Sequence, residues 1–232
     1  MDVLGDAIAR DRRSDSTALS APAVGRRYDY RRFCTSAWKT GNFLRHVGVR
    51  GGAGVAIADD PLPEPVLTLY GAATLGAVVS FGPTEAVGRE VRALVVPASD
   101  AGRYSFGPET KQVVYGDPPT EPAVSYFERD IWSENPTEPP DHVDPSDPLF
   151  RTAEGTYTHA ETLRAARTVI DRHGIDEADT VAVRGPLAEP TTVVAGLVAP
   201  IVAGAALSIG PDTDGAFVVG GAESDISGVE IA

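Results

Sequence analysis

The 232-residue chain predicts an α/β fold: two related βαβ-type halves with mostly parallel sheets. Three observations carry this expectation. The chain contains a diverged copy of itself. Each copy alternates runs of helical period with short apolar runs. Glycines and prolines punctuate the joins between them.

The copy is legible in two stretches. Residues 55–83 read "VAIADDPLPEPVLTLYGAATLGAVVSFGP", and residues 181–211 read "VAVRGPLAEPTTVVAGLVAPIVAGAALSIGP". Val55-Ala56 matches Val181-Ala182, Gly76-Ala77 matches Gly204-Ala205, and Gly82-Pro83 matches Gly210-Pro211. The paired Pro-Leu-x-Glu-Pro segments at 61–65 and 186–190 weigh most, because coincidences among Ala, Gly and Val are easy. Upstream, "YDYRRFCTSAWKTGNFLRHVGV" (28–49) parallels "GTYTHAETLRAARTVIDRHGI" (155–175).

Each element then follows in order. Phe33, Ala37, Phe43, Leu44 and Val47 recur at helical spacing, as do Leu163, Ala166, Val169 and Ile170. Gly48 and Gly174 stand where a helix C-terminus favours glycine. Short apolar runs at 55–58 and 181–183 predict buried strands. Proline-bearing turns lead to second helices at 63–75 and 189–202, with glycines near their ends that allow close packing or a stop. Strands at 77–81 and 205–209 follow. Helix, strand, helix, strand implies parallel pairing through right-handed crossovers. Between the copies, 93–96 and 112–115 read as strands. Residues 125–135 read as a short helix capped by Ser125 with Glu128 at the capping-box position. The acidic, proline-rich segment 136–148 reads as an ordered linker, and "AFVVGG" (216–221) as a last strand. The expected division is a first α/β unit at 1–98, a connecting segment at 99–148 and a second α/β unit at 149–232.

Composition bounds the function. Hydrophobic residues make up 42% of the chain, enough for a sizeable core. The net charge of −13 argues against nucleic acid, whose phosphates require a basic surface. Only Lys39 and Lys111 are lysines, against 18 arginines, so the acidic surface reads as adaptation to high salt. The rival reading is an acidic protein from a GC-rich genome. The single cysteine, Cys34, excludes a disulfide framework and a multi-cysteine metal site. His46, His142, His159 and His173 have no ligand spacing, so no metal is expected. The N-terminus lacks a signal-peptide pattern. The apolar run 193–209 reads as a buried helix and strand, so the expectation is a cytoplasmic protein away from the membrane. "GVRGGAG" (48–54) precedes a strand and reads as a turn, while "VVGGAESDISG" (218–228) could form a nest for an anion. Asp59-Asp60 reads as solvated acidic surface.

The order of these elements resembles the large N-terminal region of the adenylate-forming superfamily, which includes acyl-CoA synthetases, luciferases and related AMP-forming ligases. The residues that carry the resemblance are Tyr30 to Ala58, the Gly76-Ala77 to Phe81 strand, and Asp147-Pro148 placed before a second similar unit. "GNFLRHVGVRGGAGVAI" (41–57) is the closest local match. The resemblance implies a phosphate loop after Pro148, approximately Thr-Ser-Gly-Thr-Thr-Gly-x-Pro-Lys-Gly and then Thr-His. Here Thr152 stands where that loop would begin, and Thr158-His159 where it would end. Only Ala153, Glu154, Gly155, Thr156 and Tyr157 lie between. The glycines that let backbone N–H groups approach phosphate are reduced to one, and the lysine is missing. The stretch reads as a shortened turn into the second unit's helix, with Thr158 as N-cap and Glu161 at N3. The family's adenine, ribose and hinge motifs and its lid lysine are not found before Ala232.

The expectation is therefore a catalytically incompetent acyl-CoA synthetase-like protein with no catalytic residues. Its role would be binding or regulatory, toward a partner synthetase-like chain or a small acyl or nucleotide ligand. Thr152, Gly155, Thr156 and His159 are the candidate ligand-binding remnant. The resemblance brings ATP or AMP to mind, but the loop does not support them, and no cofactor is expected. Two alternatives stand beside this reading: a component of an AMP-forming acid–thiol ligase completed by a second polypeptide, and a structural, self-associating oligomer.

Overall fold

The structure is a computed structural model describing residues 1–231. Two 3-10 turns at Leu4–Ile8 and Arg10–Arg12 lead into a hairpin of β1 (Thr17–Ala21) and β2 (Arg26–Asp29). Helix α1 (Tyr30–His46), β3 (Gly54–Ile57), α2 (Pro63–Ala73) and β4 (Val78–Phe81) follow. The middle of the chain supplies β5 (Val91–Pro97), β6 (Lys111–Tyr115), β7 (Ser125–Tyr126) and the single-turn α3 (Phe127–Asp130). A second hairpin, β8 (Pro148–Arg151) and β9 (Thr156–Thr158), opens onto α4 (His159–His173) and β10 (Thr180–Val183). A π-helical stretch (Thr192–Val198) runs into α5 (Ala199–Ala203), before β11 (Ala206–Ile209) and β12 (Phe217–Val219).

The strands form two mostly parallel sheets. The larger has seven strands in the order β7-β6-β5-β3-β4-β8-β9, with only β9 antiparallel. The smaller has five in the order β12-β10-β11-β1-β2, with only β2 antiparallel. The run β5-β3-β4-β8-β9 and the run β12-β10-β11-β1-β2 follow one plan. Residues matched in the sequence fall at matching places: Val55 pairs with Val79 in one sheet, and Val181 with Leu207 in the other.

Each hairpin sits in the sheet whose other strands come from the opposite half of the chain. β1 pairs with β11, Leu19 opposite Leu207, and β8 pairs with β4, Val79 opposite Phe150. The boundaries drawn at residues 98 and 148 therefore do not separate the sheets. One continuous hydrophobic core runs through both halves. Buried tyrosines bond across it: the Tyr30 hydroxyl donates to the Ala205 carbonyl at 2.8 Å, and the Tyr70 hydroxyl to the Leu197 carbonyl at 2.9 Å.

The helices bury the faces their spacing predicts. α1 buries Phe33, Ala37, Phe43 and Leu44 and is capped by Asp29, whose carboxylate accepts from the Arg32 N–H at 2.6 Å. Phe33 meets Tyr70 of α2 edge-on, with ring centroids 5.1 Å apart. α1 and α2 approach backbone to backbone: a Cβ on Gly71 would lie 2.7 Å from the Gly41 nitrogen. α4 ends at Gly174 in the left-handed region, φ 69°, a conformation that costs glycine nothing.

One local expectation is overturned. Residues 125–135 do not form a helix capped by Ser125. Ser125 belongs to β7, paired with Val113, and only Phe127–Asp130 is helical. Glu128 bonds the Gly116 N–H at 2.8 Å rather than closing a capping box. Pairing with the edge of the seven-stranded sheet outweighs the local helix signal.

Candidate functional site

The stretch that should grip phosphate is the turn between β8 and β9. β8 is held against β4, and the Phe150 and Tyr157 rings pack at 4.9 Å beneath the hairpin. The turn closes on itself. The Thr152 N–H donates to the Gly155 carbonyl at 2.8 Å, and the Glu154 N–H to Thr152 Oγ1 at 3.1 Å. Arg151 Nε donates to Thr156 Oγ1 at 3.2 Å, and the other end of its guanidinium lies 3.9 Å from Glu90. Two backbone donors of the turn are thus spent internally, while the Glu154 side chain is exposed.

The turn enters α4 through a capping box. Glu161 N–H donates to Thr158 Oγ1 at 3.2 Å, and the Thr158 N–H donates back to Glu161 Oε2 at 2.8 Å. The sequence specified this cap. These bonds hold the Glu161 carboxyl below its ordinary range.

Of the four candidate residues, the structure gathers Thr152, Gly155 and Thr156 in the turn and separates His159 from them. His159 is fully buried. Its Nδ1 accepts the Leu4 N–H at 3.0 Å, so the neutral ring carries its proton on Nε2. That Nε2 is buried with no hydrogen-bond partner among the described residues. Burial lowers the His159 pKa to about 4, against the weaker opposing pull of Asp147 and Asp6. The imidazole is a core group that docks the N-terminal turn.

Other sequence features resolve into structure. Gly220 and Gly221 follow β12, and the Gly220 N–H is engaged by Ser224 Oγ at 3.0 Å. Asp59 is not free acidic surface: it accepts from the Leu187 N–H at 2.6 Å, so one Pro-Leu-x-Glu-Pro loop is clasped by the residues leading into the other. Asp60 accepts from the Tyr115 hydroxyl at 2.8 Å. In the first turn of α2, Glu64 is buried with Arg26 at 2.5 Å, and desolvation raises its carboxyl pKa against that partner. No group of three or more His, Cys, Asp or Glu suited to a metal occurs among the described residues. No helix among them is long and apolar enough to cross a membrane.

Sequence reasoning missed a cavity of about 370 Å³ beside α1 and α3, lined by Arg13, Arg26, Arg32, Lys39, Phe127 and Trp132 among others. The available signal was the arginine run after Gly25. Its remote wall, around residues 127–132, could not be placed from spacing.

The paired sheets, with this order of hairpins and crossovers, define the class of fold: the N-terminal domain of acyl-CoA synthetases. The anthranilate CoA ligase AuaEII, solved in complex with anthranoyl-AMP, superposes at TM-score 0.75 with 22% identity, over 91% of this chain and 45% of that one. The N-terminal domain of FACL13 from Mycobacterium tuberculosis matches at 0.75 with 18% identity, over 92% of this chain and 58% of its own. A putative long-chain-fatty-acid CoA ligase from Rhodopseudomonas palustris matches at 0.76 with 21% identity, over 91% and 58%. Nonribosomal peptide synthetase structures share the fold as well. The chain spans about half the length of the CoA ligases it matches. No family model and no curated protein matches the sequence.

Proposed function

We propose that this chain is a catalytically incompetent relative of the acyl-CoA synthetases, with a binding or regulatory role toward a synthetase-like partner or a small acyl or nucleotide ligand. The β8–β9 turn carries the reading. Adenylation needs free backbone donors and positive charge around a triphosphate. This turn spends the Thr152 and Glu154 N–H groups on its own oxygens and presents the Glu154 carboxylate. Two like charges 4 Å apart repel by about 4 kcal/mol at an effective dielectric of 20, before screening. Thr152, Gly155 and Thr156 keep a small polar turn at that place, without the lysine. Self-association is the other form a binding role could take.

The test is ATP–pyrophosphate exchange by the purified chain in high salt with mixed carboxylic acids. The expected result is none, and clear exchange overturns the reading. Affinity capture from a native high-salt lysate should retain a synthetase-like chain. Thermal shifts with ATP, AMP, CoA and acyl carboxylates address the small-ligand form, since a ligand at 100 times its Kd adds about 2.7 kcal/mol.

A second reading makes the chain a component of an AMP-forming acid–thiol ligase whose remaining machinery lies on another polypeptide. The fold favours it, because the solved neighbours are CoA ligases, one of them holding an acyl-adenylate. Exchange that appears only on mixing with the product of an adjacent reading frame would support this reading over the first.

A further inference from the structure

The cavity beside α1 concentrates positive charge in an acidic protein. Five cationic side chains line it, including one of the two lysines, against two carboxylates, Asp29 and Glu128. The chain as a whole carries −13. Two of the five cations are already paired: Arg26 holds Glu64 at 2.5 Å, and Arg31 holds Asp15 at 3.2 Å. Arg13, Arg32 and Lys39 have no carboxylate at ion-pairing distance among the described residues. Arg13 Nε is also buried without a hydrogen-bond partner.

Four of the five cations lie against aromatic rings. The Arg32 and Arg26 guanidiniums lie 4.4 and 5.9 Å from the centre of the Tyr28 ring. Arg26 also donates to the Tyr28 hydroxyl at 2.7 Å. Arg13 lies 5.5 Å from the Trp38 ring. Lys39 Nζ is 5.1 Å from the Trp132 ring and donates to the Trp132 carbonyl at 2.7 Å. Such packing lowers the entropy lost when the cations engage a ligand.

The remaining wall is apolar: Leu67, Phe127, Ile131 and the Trp132 ring. Trp132 is 73% exposed, the most exposed large hydrophobic residue described. A cavity of this volume falls in the range that encloses small molecules. Set against Asp29 and Glu128, the three unpaired cations leave the lining net positive, and guanidinium forks match phosphate oxygens in pairs.

We propose that this cavity binds a small organic phosphate, a phosphomonoester dianion carried on a flat apolar body. The phosphate meets Arg13, Arg32 and Lys39, and the apolar body lies against Trp132, Phe127 and Ile131. The cavity shares no lining residue with the β8–β9 turn, so the proposal stands independently of the binding role argued above.

The probe is phenyl phosphate, titrated calorimetrically and by tryptophan emission, with inorganic phosphate and benzoate as comparison ligands. Saturable binding of phenyl phosphate with quenching is expected. Trp132→Phe should remove the quenching, because the other tryptophan, Trp38, is buried. Arg32→Gln and Lys39→Gln should each weaken binding at least tenfold. Unchanged thermal unfolding of these surface variants would show that they fold. The proposal is overturned by no saturable heat at millimolar phenyl phosphate, or by unchanged affinity in both variants. Benzoate binding as tightly as phenyl phosphate would overturn the choice of phosphate, and inorganic phosphate binding as tightly would overturn the apolar contact.

Discussion

His159 couples the N-terminal turn to the start of α4 through one bond, and that bond depends on protonation. Protonated Nδ1 cannot accept the Leu4 N–H. The folded-state pKa, about 4, lies below the ordinary value of 6.5. The unfolded chain therefore binds the extra proton between those values. The contribution of His159 is full above pH 6.5 and is lost as pH falls toward 4. The total is on the order of 3 kcal/mol. Denaturant midpoints followed from pH 7 to pH 4 should show this slope, and His159→Leu should remove its share of it. That variant also strands the Leu4 N–H, at about 1–3 kcal/mol, so it should be less stable at pH 7. Thr158→Ala, which leaves an α4 donor unmet, should cost about 1 kcal/mol at any neutral pH in the same measurement. The Thr158 cap was legible because both partners lie within one turn of each other. The role of His159 was not, because its partner is 155 residues away.

At the scale of elements, local signals located the helices and could not fix their winding. The second helix of each copy was expected at 63–75 and 189–202. The first is an ordinary α-helix, Pro63–Ala73, while the second winds as a π-helix over Thr192–Val198 before α5. Nothing in the spacing of apolar residues separates those windings, because the whole π-helical stretch is buried. Strand position was legible from apolar runs at β3, β4, β10 and β11. The β1–β2 hairpin was passed over because its sequence, "TALSAPAVGRRYD" (17–29), alternates weakly and its pairing partner lies far along the chain. The glycines near the ends of the second helices were read as packing or stopping points, and Gly71 does the first. Alanine at an exposed helical glycine gains about 1 kcal/mol. At Gly71 the added Cβ would meet the Gly41 nitrogen at 2.7 Å and the Ala37 carbonyl at 3.0 Å. Gly71→Ala should therefore have the opposite sign, destabilising by about 1–3 kcal/mol in urea unfolding.

For the whole molecule, charge and topology carry the expectations. A surface with −13 net charge repels itself, and salt screens that repulsion over about 8 Å at physiological strength and about 3 Å at 1 M. The melting temperature should rise steadily from 0.2 to 2 M KCl. A flat profile would count against salt adaptation and favour the genomic explanation of the composition. The internal copy announced two halves of one plan, and the sheets have one plan. What the sequence concealed is that the hairpins change places, because pairing between distant edges leaves no mark on local periodicity.

That exchange has a consequence in time. β1 leaves the ribosome well before its partner β11 has been made. Leu19 must wait for Leu207, an interval of roughly 10–40 s at 5–20 residues per second. For that interval the nascent chain carries an open strand edge, and it depends on whatever shields such edges during translation.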